Sequence, residues 1–147
     1  MKPFAISLLF SIALIAPCIH AAAPDPALVG CWRAVKIVQH FASGAKAEDS
    51  TGRCVLQFTD DRLESSCASS GGTVTSKYSY RIARPNVYAA TLTGSTFQTS
   101  LIGSTREYEY RLEGDRLTTA TNLQSTDAAT PALAVRVETE GARIECR

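Results

Sequence analysis

Few residues of this chain have chemistry to offer: five cysteines, five tyrosines, two histidines, and serines with no motif around them. Nucleophilic serine catalysis needs a base and a group that orients it. His40 is the one conventional base outside the N-terminal leader, and no nucleophile signature surrounds any serine. Zinc demands several convergent ligands, so His40 alone reads as a surface residue rather than a metal or haem ligand. The carboxylates fall in turns, as Asp60, Asp61 and Asp115 do, or at positions expected to face water, such as Glu107 and Glu109. Paired-acid hydrolysis is therefore unsupported. Gly71-Gly72 is followed by neither a helix nor a P-loop lysine, so it cradles no phosphate. The expectation is a protein that is not an enzyme and carries no cofactor and no metal.

The cysteines carry structural chemistry. Met1-Lys2 followed by the apolar run Phe4–Ala16 has the form of an export signal, too short for the roughly 20 residues of a spanning helix. Cleavage after Ala21 or Ala23 removes Cys18 with it, leaving residues 24–147 as a single domain in the periplasm or outside the cell, with no integral membrane segment. Pro17 before Cys18 is unlike the small residue of a lipid-anchoring signal. Cys31, Cys54, Cys67 and Cys146 remain, an even number in an exported chain with no C-x-x-C, which favours two disulfides. Asp60-Asp61 reads as a tight turn. Counting outward from it sets Phe58 against Leu63, Leu56 against Ser65 and Cys54 against Cys67. A two-residue loop makes the cysteines a non-hydrogen-bonded pair with close Cα atoms, whereas a four-residue loop keeps them opposed and changes that parity. Cys31 is left with Cys146, one in the first strand and one in the last, a pairing that a closed barrel brings side by side.

The elements that hold these residues are strands. Short alternating segments broken by Gly, Asn, Asp and Pro recur along the chain, at Leu28–Gln39, Cys54–Thr59, Arg62–Ala68, Thr73–Ala83, Asn86–Thr93, Thr96–Ile102, Thr105–Glu113, Arg116–Leu123, Leu133–Thr139 and Ala142–Cys146. Two small, polar stretches, Ala42–Gly52 and Gln124–Pro131, read as loops. Lys and Arg number 15 against 14 Asp and Glu, so nothing prepares the chain to neutralise phosphates and nucleic acid is excluded as a partner. With 45% hydrophobic and 20% charged residues it is too apolar to stay disordered.

Parity around the Gly114-Asp115 turn orients the late strands. Leu112 faces Leu117, so Arg106, Tyr108, Tyr110 and Leu112 point inward while Glu107, Glu109, Arg111 and Glu113 face water. Thr73–Ala83 repeats the pattern, with Val74, Tyr78, Tyr80 and Ile82 on one side and Lys77 and Arg81 on the other. The candidate site is thus inside the barrel. Arg106 with one or more of Tyr78, Tyr80, Tyr108 and Tyr110 would hold a ligand carboxylate, and Leu56, Phe58 and Leu112 would bury its apolar part. The competing reading of the same residues is plain core packing.

Gly30-Cys31-Trp32 is similar to the G-x-W signature that opens the first strand of lipocalin and related calycin barrels. Gly103-Ser104-Thr105-Arg106-x-Tyr108 followed by Leu112-x-Gly114-Asp115-Arg116-Leu117-Thr118 resembles the late hairpin of bacterial lipocalin-like domains. The T-D-Y-type motif of larger lipocalins is missing, which favours the small bacterial relatives. The resemblance implies a single antiparallel up-and-down β-barrel of eight to ten strands. It also implies that Trp32 plugs the closed end and that a late arginine, Arg147 or Arg143, packs across its ring.

The function expected is binding of a small apolar or amphipathic molecule in an internal cavity of about 300–1,000 Å³ lined by the tyrosines. The alternative is inhibition of a secreted hydrolase, a lysozyme or protease, by an exposed loop. Ser43-Gly44-Ala45-Lys46 resembles the segment with which periplasmic lysozyme inhibitors enter an enzyme cleft, and Ala42–Gly52 would be the contact loop.

Overall fold

The computed structural model describes residues 23–123 and 134–147. The leader, the stretch Gln124–Pro131 and Leu133 lie outside the described residues. Nine strands follow one another: β1 (Gly30–Phe41), β2 (Lys46–Asp49), β3 (Cys54–Phe58), β4 (Arg62–Ser69), β5 (Gly72–Arg84), β6 (Val87–Ser95), β7 (Thr105–Glu113), β8 (Arg116–Asn122) and β9 (Ala134–Ile144). All pair antiparallel, and β1 returns to β9 from Cys31 opposite Ile144 to Phe41 opposite Ala134, so the sheet is closed. β2 and β3 share one edge of β1, against Ile37–His40 and Gly30–Ala34 respectively. They act as one interrupted stave. The result is an eight-stranded barrel, a size whose interior either fills with side chains or holds one small ligand.

Both disulfides join the expected partners, Cys31 to Cys146 and Cys54 to Cys67. The Thr59 N–H donates to the Arg62 carbonyl at 2.9 Å, so Asp60-Asp61 is the two-residue loop. Cys54 then faces Cys67 with Cα atoms 4.0 Å apart, the close spacing of a non-hydrogen-bonded pair. The second hairpin holds its register too, with Leu112 opposite Leu117 and Tyr110 opposite Thr119.

Three segments depart from expectation. Lys46–Asp49, read as loop, is a strand on β1, held by a turn in which Gly44 takes φ 84°. The Phe41 N–H reaches the Ala45 carbonyl across that turn. Only the turn itself projects, so Ala42–Gly52 is not one open contact loop. Thr96–Ile102 is not a strand: the Ser95 hydroxyl accepts from the N–H groups of Phe97 and Gln98, and a 3-10 turn follows at Thr99–Leu101. The last two expected strands are one, because Gly141 breaks nothing. A Cβ there would lie 3.4 Å from that of Trp32 and 3.7 Å from that of Leu117, so this small residue sits within a continuous strand against the tryptophan.

A register shift between Ala34 and Lys36 turns the inward set of β1 from Trp32 and Ala34 to Ile37 and Gln39. No helix among the described residues is long and apolar enough to cross a membrane.

Candidate functional site

The two ends of the barrel differ. At one end Asp25–Val29 folds under the strands, and Leu28 and Trp32 are fully buried there. The Trp32 indole N–H donates to the Leu28 carbonyl at 2.9 Å. Arg143, on β9 directly opposite Trp32, lays its guanidinium 4.1 Å above the indole and donates to the carbonyls of Ala27 and Val29 at 2.6 and 3.1 Å. One arginine thus ties the plug segment, the tryptophan and the last strand together. Gly30 completes the arrangement: its φ of 134° calls for glycine, and a Cβ there would come 2.7 Å from Arg143 Nη1 and push the guanidinium from its place.

Above the plug the axis is filled with rings. Phe58 meets Tyr80 and Tyr88 edge-on at 5.4 and 5.6 Å, and Tyr88 stacks on Tyr108 at 4.9 Å. Tyr110 joins Tyr88 at 5.9 Å. A buried phenol needs a partner, and two find one: Tyr80 donates to the Thr59 carbonyl at 2.6 Å and Tyr110 to the Asp25 carboxylate at 2.8 Å. Burial pushes Tyr80, Tyr108 and Tyr110 up to about 12, and Tyr88 well above the usual phenol value. For Tyr110 the Asp25 carboxylate adds to the effect, whereas for Tyr108 the guanidinium of Arg106 works against it. Leu112 packs half-buried against this cluster from the plugged end.

The open end is looser. Inward positions near the plug are buried, as Phe58, Leu63, Tyr80, Tyr110 and Leu117 are, but Leu56, Tyr78, Tyr108 and Arg106 toward the mouth are only half-buried. Ile37, Val74 and Val137 share that condition. On the β1–β5 side of the mouth lies a half-open hollow of about 500 Å³, walled by Ile37, Gln39, the Cys54–Cys67 bridge, Val74 and Phe97. Between Tyr78, Tyr108 and Arg106 the free space is only about 10 Å³, closed over by Gln98 and Leu101, while Arg106 also borders an open hollow of about 600 Å³ beside Glu107 and Asn122. The cavity is therefore displaced from where tyrosine parity alone puts it. Tyr88 occupies the axis between Tyr80 and Tyr108, and the room opens nearer the rim.

Arg106 sits on β7, four staves from β3 around an eight-stave barrel, and so on the wall opposite Cys54 and Leu56. Among the described residues no carboxylate comes within ion-pair distance of it, whereas Arg143 at the plug is engaged by the Asp115 carboxylate at 3.5 Å. The mouth hence offers a guanidinium that, among the described residues, has no carboxylate partner, lies beside the Tyr108 phenol and stands across the barrel from Cys54 and Leu56.

Sequence reasoning missed Tyr88, Phe97 and Thr121, whose hydroxyl donates inside the barrel to the Glu107 carbonyl at 2.8 Å. His40 lies on the outer face, its Nε2 3.5 Å from Glu138 and shut off from solvent. The Glu138 carboxyl is held below its ordinary value, first by Arg136 and then by His40. No group of three or more metal-ligating side chains converges among the described residues.

No protein-family model matches the chain, and no curated protein does. Solved structures do. A lipocalin-like protein from Bacteroides uniformis superposes with a TM-score of 0.52 at 11% identity, covering 80% of this chain and 99% of its own. An uncharacterised protein from Bacteroides eggerthii gives 0.49 at 10% identity, covering 79% and 98%. A designed fluorescence-activating β-barrel gives 0.42 at 16% identity, covering 79% and 93%. At such identities the likeness is one of fold, and the fold is that of a small lipocalin-like barrel.

Proposed function

We propose that the protein is exported to the periplasm or the cell exterior and there binds one small apolar or amphipathic molecule in the mouth half of its barrel. The observation that carries this reading is the half-open hollow of about 500 Å³ at the mouth, walled by Ile37, the Cys54–Cys67 bridge, Val74 and Phe97 and edged by Glu48, Asp49 and Arg53, a volume within the ~300–1,000 Å³ usual for ligand sites. The partial burial of Leu56, Tyr78, Tyr108 and Val74 toward the mouth, against the full burial of Phe58, Trp32 and Leu117 nearer the plug, supports it. The leader-like N terminus and the pairing of all four remaining cysteines support the exported setting. The head group best suited to the site is an anion. Arg106 supplies charge with the hydroxyls of Tyr78 and Tyr108 beside it, across the mouth from the apolar wall that Ile37, Val74 and Phe97 supply.

The test is titration of medium-chain fatty acids and their uncharged alcohols into the protein in vesicle-free solution. The acids bind more tightly, and Arg106→Ala weakens them by about ten- to a hundredfold, the worth of a charge-assisted hydrogen bond, while leaving the alcohols unchanged. Equal affinity of variant and parent for the acids removes Arg106 from the site. Absence of binding by every apolar probe removes the reading itself.

A further inference from the structure

Between Arg84 and Arg106 the chain carries no charged residue. The centre of that segment is the β6–β7 connection, Thr96–Ser104, at the mouth of the barrel. Of the three exposed large apolar side chains among the described residues, two belong to it: Phe97, 71% exposed, and Ile102, 48% exposed. The third, Val35, sits on the β1 bulge. The other described mouth turns, Ala42–Ala45 and Ser70-Gly71, display only small side chains.

The connection is also closed on itself. Thr96 donates its backbone N–H to the Thr75 carbonyl at 2.9 Å, and Phe97 and Gln98 donate theirs to the Ser95 hydroxyl at 3.1 and 3.0 Å. Leu101 donates to Gln98, Ile102 to Thr99, Gly103 to Leu92 and Ser104 to Leu101. Apart from Thr99 and Ser100, every backbone N–H from Thr96 to Ser104 is bonded within the protein. A loop bathed in water has no need of this, but lipid supplies no hydrogen bonds and makes unsatisfied backbone groups costly. A charge-free loop with most of its N–H groups bonded within the protein and with outward Phe and Ile suits an interfacial lipid contact.

We infer that the Thr96–Ser104 loop docks the barrel mouth onto a lipid bilayer, with Phe97 and Ile102 entering the head-group boundary. Phe97 also walls the hollow at the mouth, so docking places the ligand site against the phase in which an amphipathic ligand dissolves. This last link rests on the binding reading above, whereas the docking itself does not.

Trp32 is the chain's single tryptophan and is fully buried, so Phe97→Trp adds one reporting indole at the loop. Protein recovered after export is mixed, without ligand, with phosphatidylcholine vesicles with and without brominated acyl chains. The new indole shifts to the blue and is quenched by the bromines. The double variant Phe97→Ser, Ile102→Ser loses co-sedimentation with plain vesicles by about tenfold or more, the effect of withdrawing one largely buried aromatic side chain. Near-ultraviolet dichroism of Trp32 verifies that both variants keep the fold. An indole at position 97 that is neither shifted nor quenched at saturating lipid overturns the inference, as does undiminished co-sedimentation of the double variant. Docking without fatty-acid binding sinks only the binding reading, and fatty-acid binding without docking sinks only this one.

Discussion

Gly30 and Arg143 compete for one volume: a Cβ on the glycine would stand 2.7 Å from the guanidinium that covers Trp32. The G-x-W signature and the late arginine are therefore one device, in which the missing side chain makes room for the cation. Gly30→Ala meets two penalties, a backbone at φ 134° and a displaced arginine, and is expected to cost about 2–4 kcal/mol. Arg143→Ala forfeits a cation–π contact and two charge-assisted hydrogen bonds, with an expected cost of about 2–4 kcal/mol. In urea unfolding the double variant is less destabilised than the sum of the two singles, because the clash disappears with the arginine. Strict additivity would show that the two positions are independent.

The two disulfides should differ in weight. Cys31–Cys146 spans 115 positions and Cys54–Cys67 only 13. On the loop-entropy model these are worth about 4.7 and about 3 kcal/mol respectively. Replacing Cys31 and Cys146 with serine accordingly lowers stability by roughly 1–2 kcal/mol more than replacing Cys54 and Cys67. The first bridge also binds the strands that close the barrel, whereas the second staples a hairpin already held by its turn. The reverse order of urea midpoints would contradict this.

How far the barrel was legible depended on tight turns. Asp60-Asp61 and Gly114-Asp115 give centres from which opposite residues can be counted, and Phe58 with Leu63, Leu56 with Ser65, Cys54 with Cys67, Leu112 with Leu117 and Tyr110 with Thr119 are found opposed, whereas the β7–β8 pairing ends before it would set Tyr108 against Thr121. Tyr88 faces Tyr108 across β6 and β7, but those strands are joined by a long irregular connection that offers no centre. Alternation within β6 gave no help either, since Val87 and Ala89 on one face are as apolar as Tyr88 and Ala90 on the other. Thr96–Ile102 has the alternation of a strand, and the Ser95 hydroxyl that turns it is a single side chain with no sequence signature. Gly141 reads as a break unless one knows that Trp32 lies beneath it.

Gly141 separates two kinds of substitution. An alanine Cβ would lie 3.4 Å from that of Trp32, an ordinary contact, and the backbone there takes no positive φ. Gly141→Ala is expected within about 1 kcal/mol of the parent, because the loss of unfolded-state freedom offsets slight crowding. Gly141→Val drives a second methyl into Trp32 or Leu117 and costs about 1–3 kcal/mol. Thermal unfolding that ranked valine with alanine would mean that the plug is looser than its contacts indicate.

Alkali should undo the barrel through its phenols. Tyr80, Tyr108 and Tyr110 are each raised to about 12 from an ordinary value near 10, and Tyr88 is raised further, all mainly by burial. The native state therefore holds these protons where the unfolded chain gives them up. The stability so contributed is complete below pH ~10 and falls as pH rises toward about 12. Tyrosinate absorbance from these four phenols should appear together with loss of the near-ultraviolet dichroism of Trp32. Tyr88→Phe removes the most deeply buried of these phenols and leaves its stacking on Tyr108 in place, so its unfolding midpoint moves to higher pH. Ionisation of these four phenols near pH 10 with the dichroism intact would mean that the rings are open to solvent, and the packed aromatic cluster above the plug would go with them.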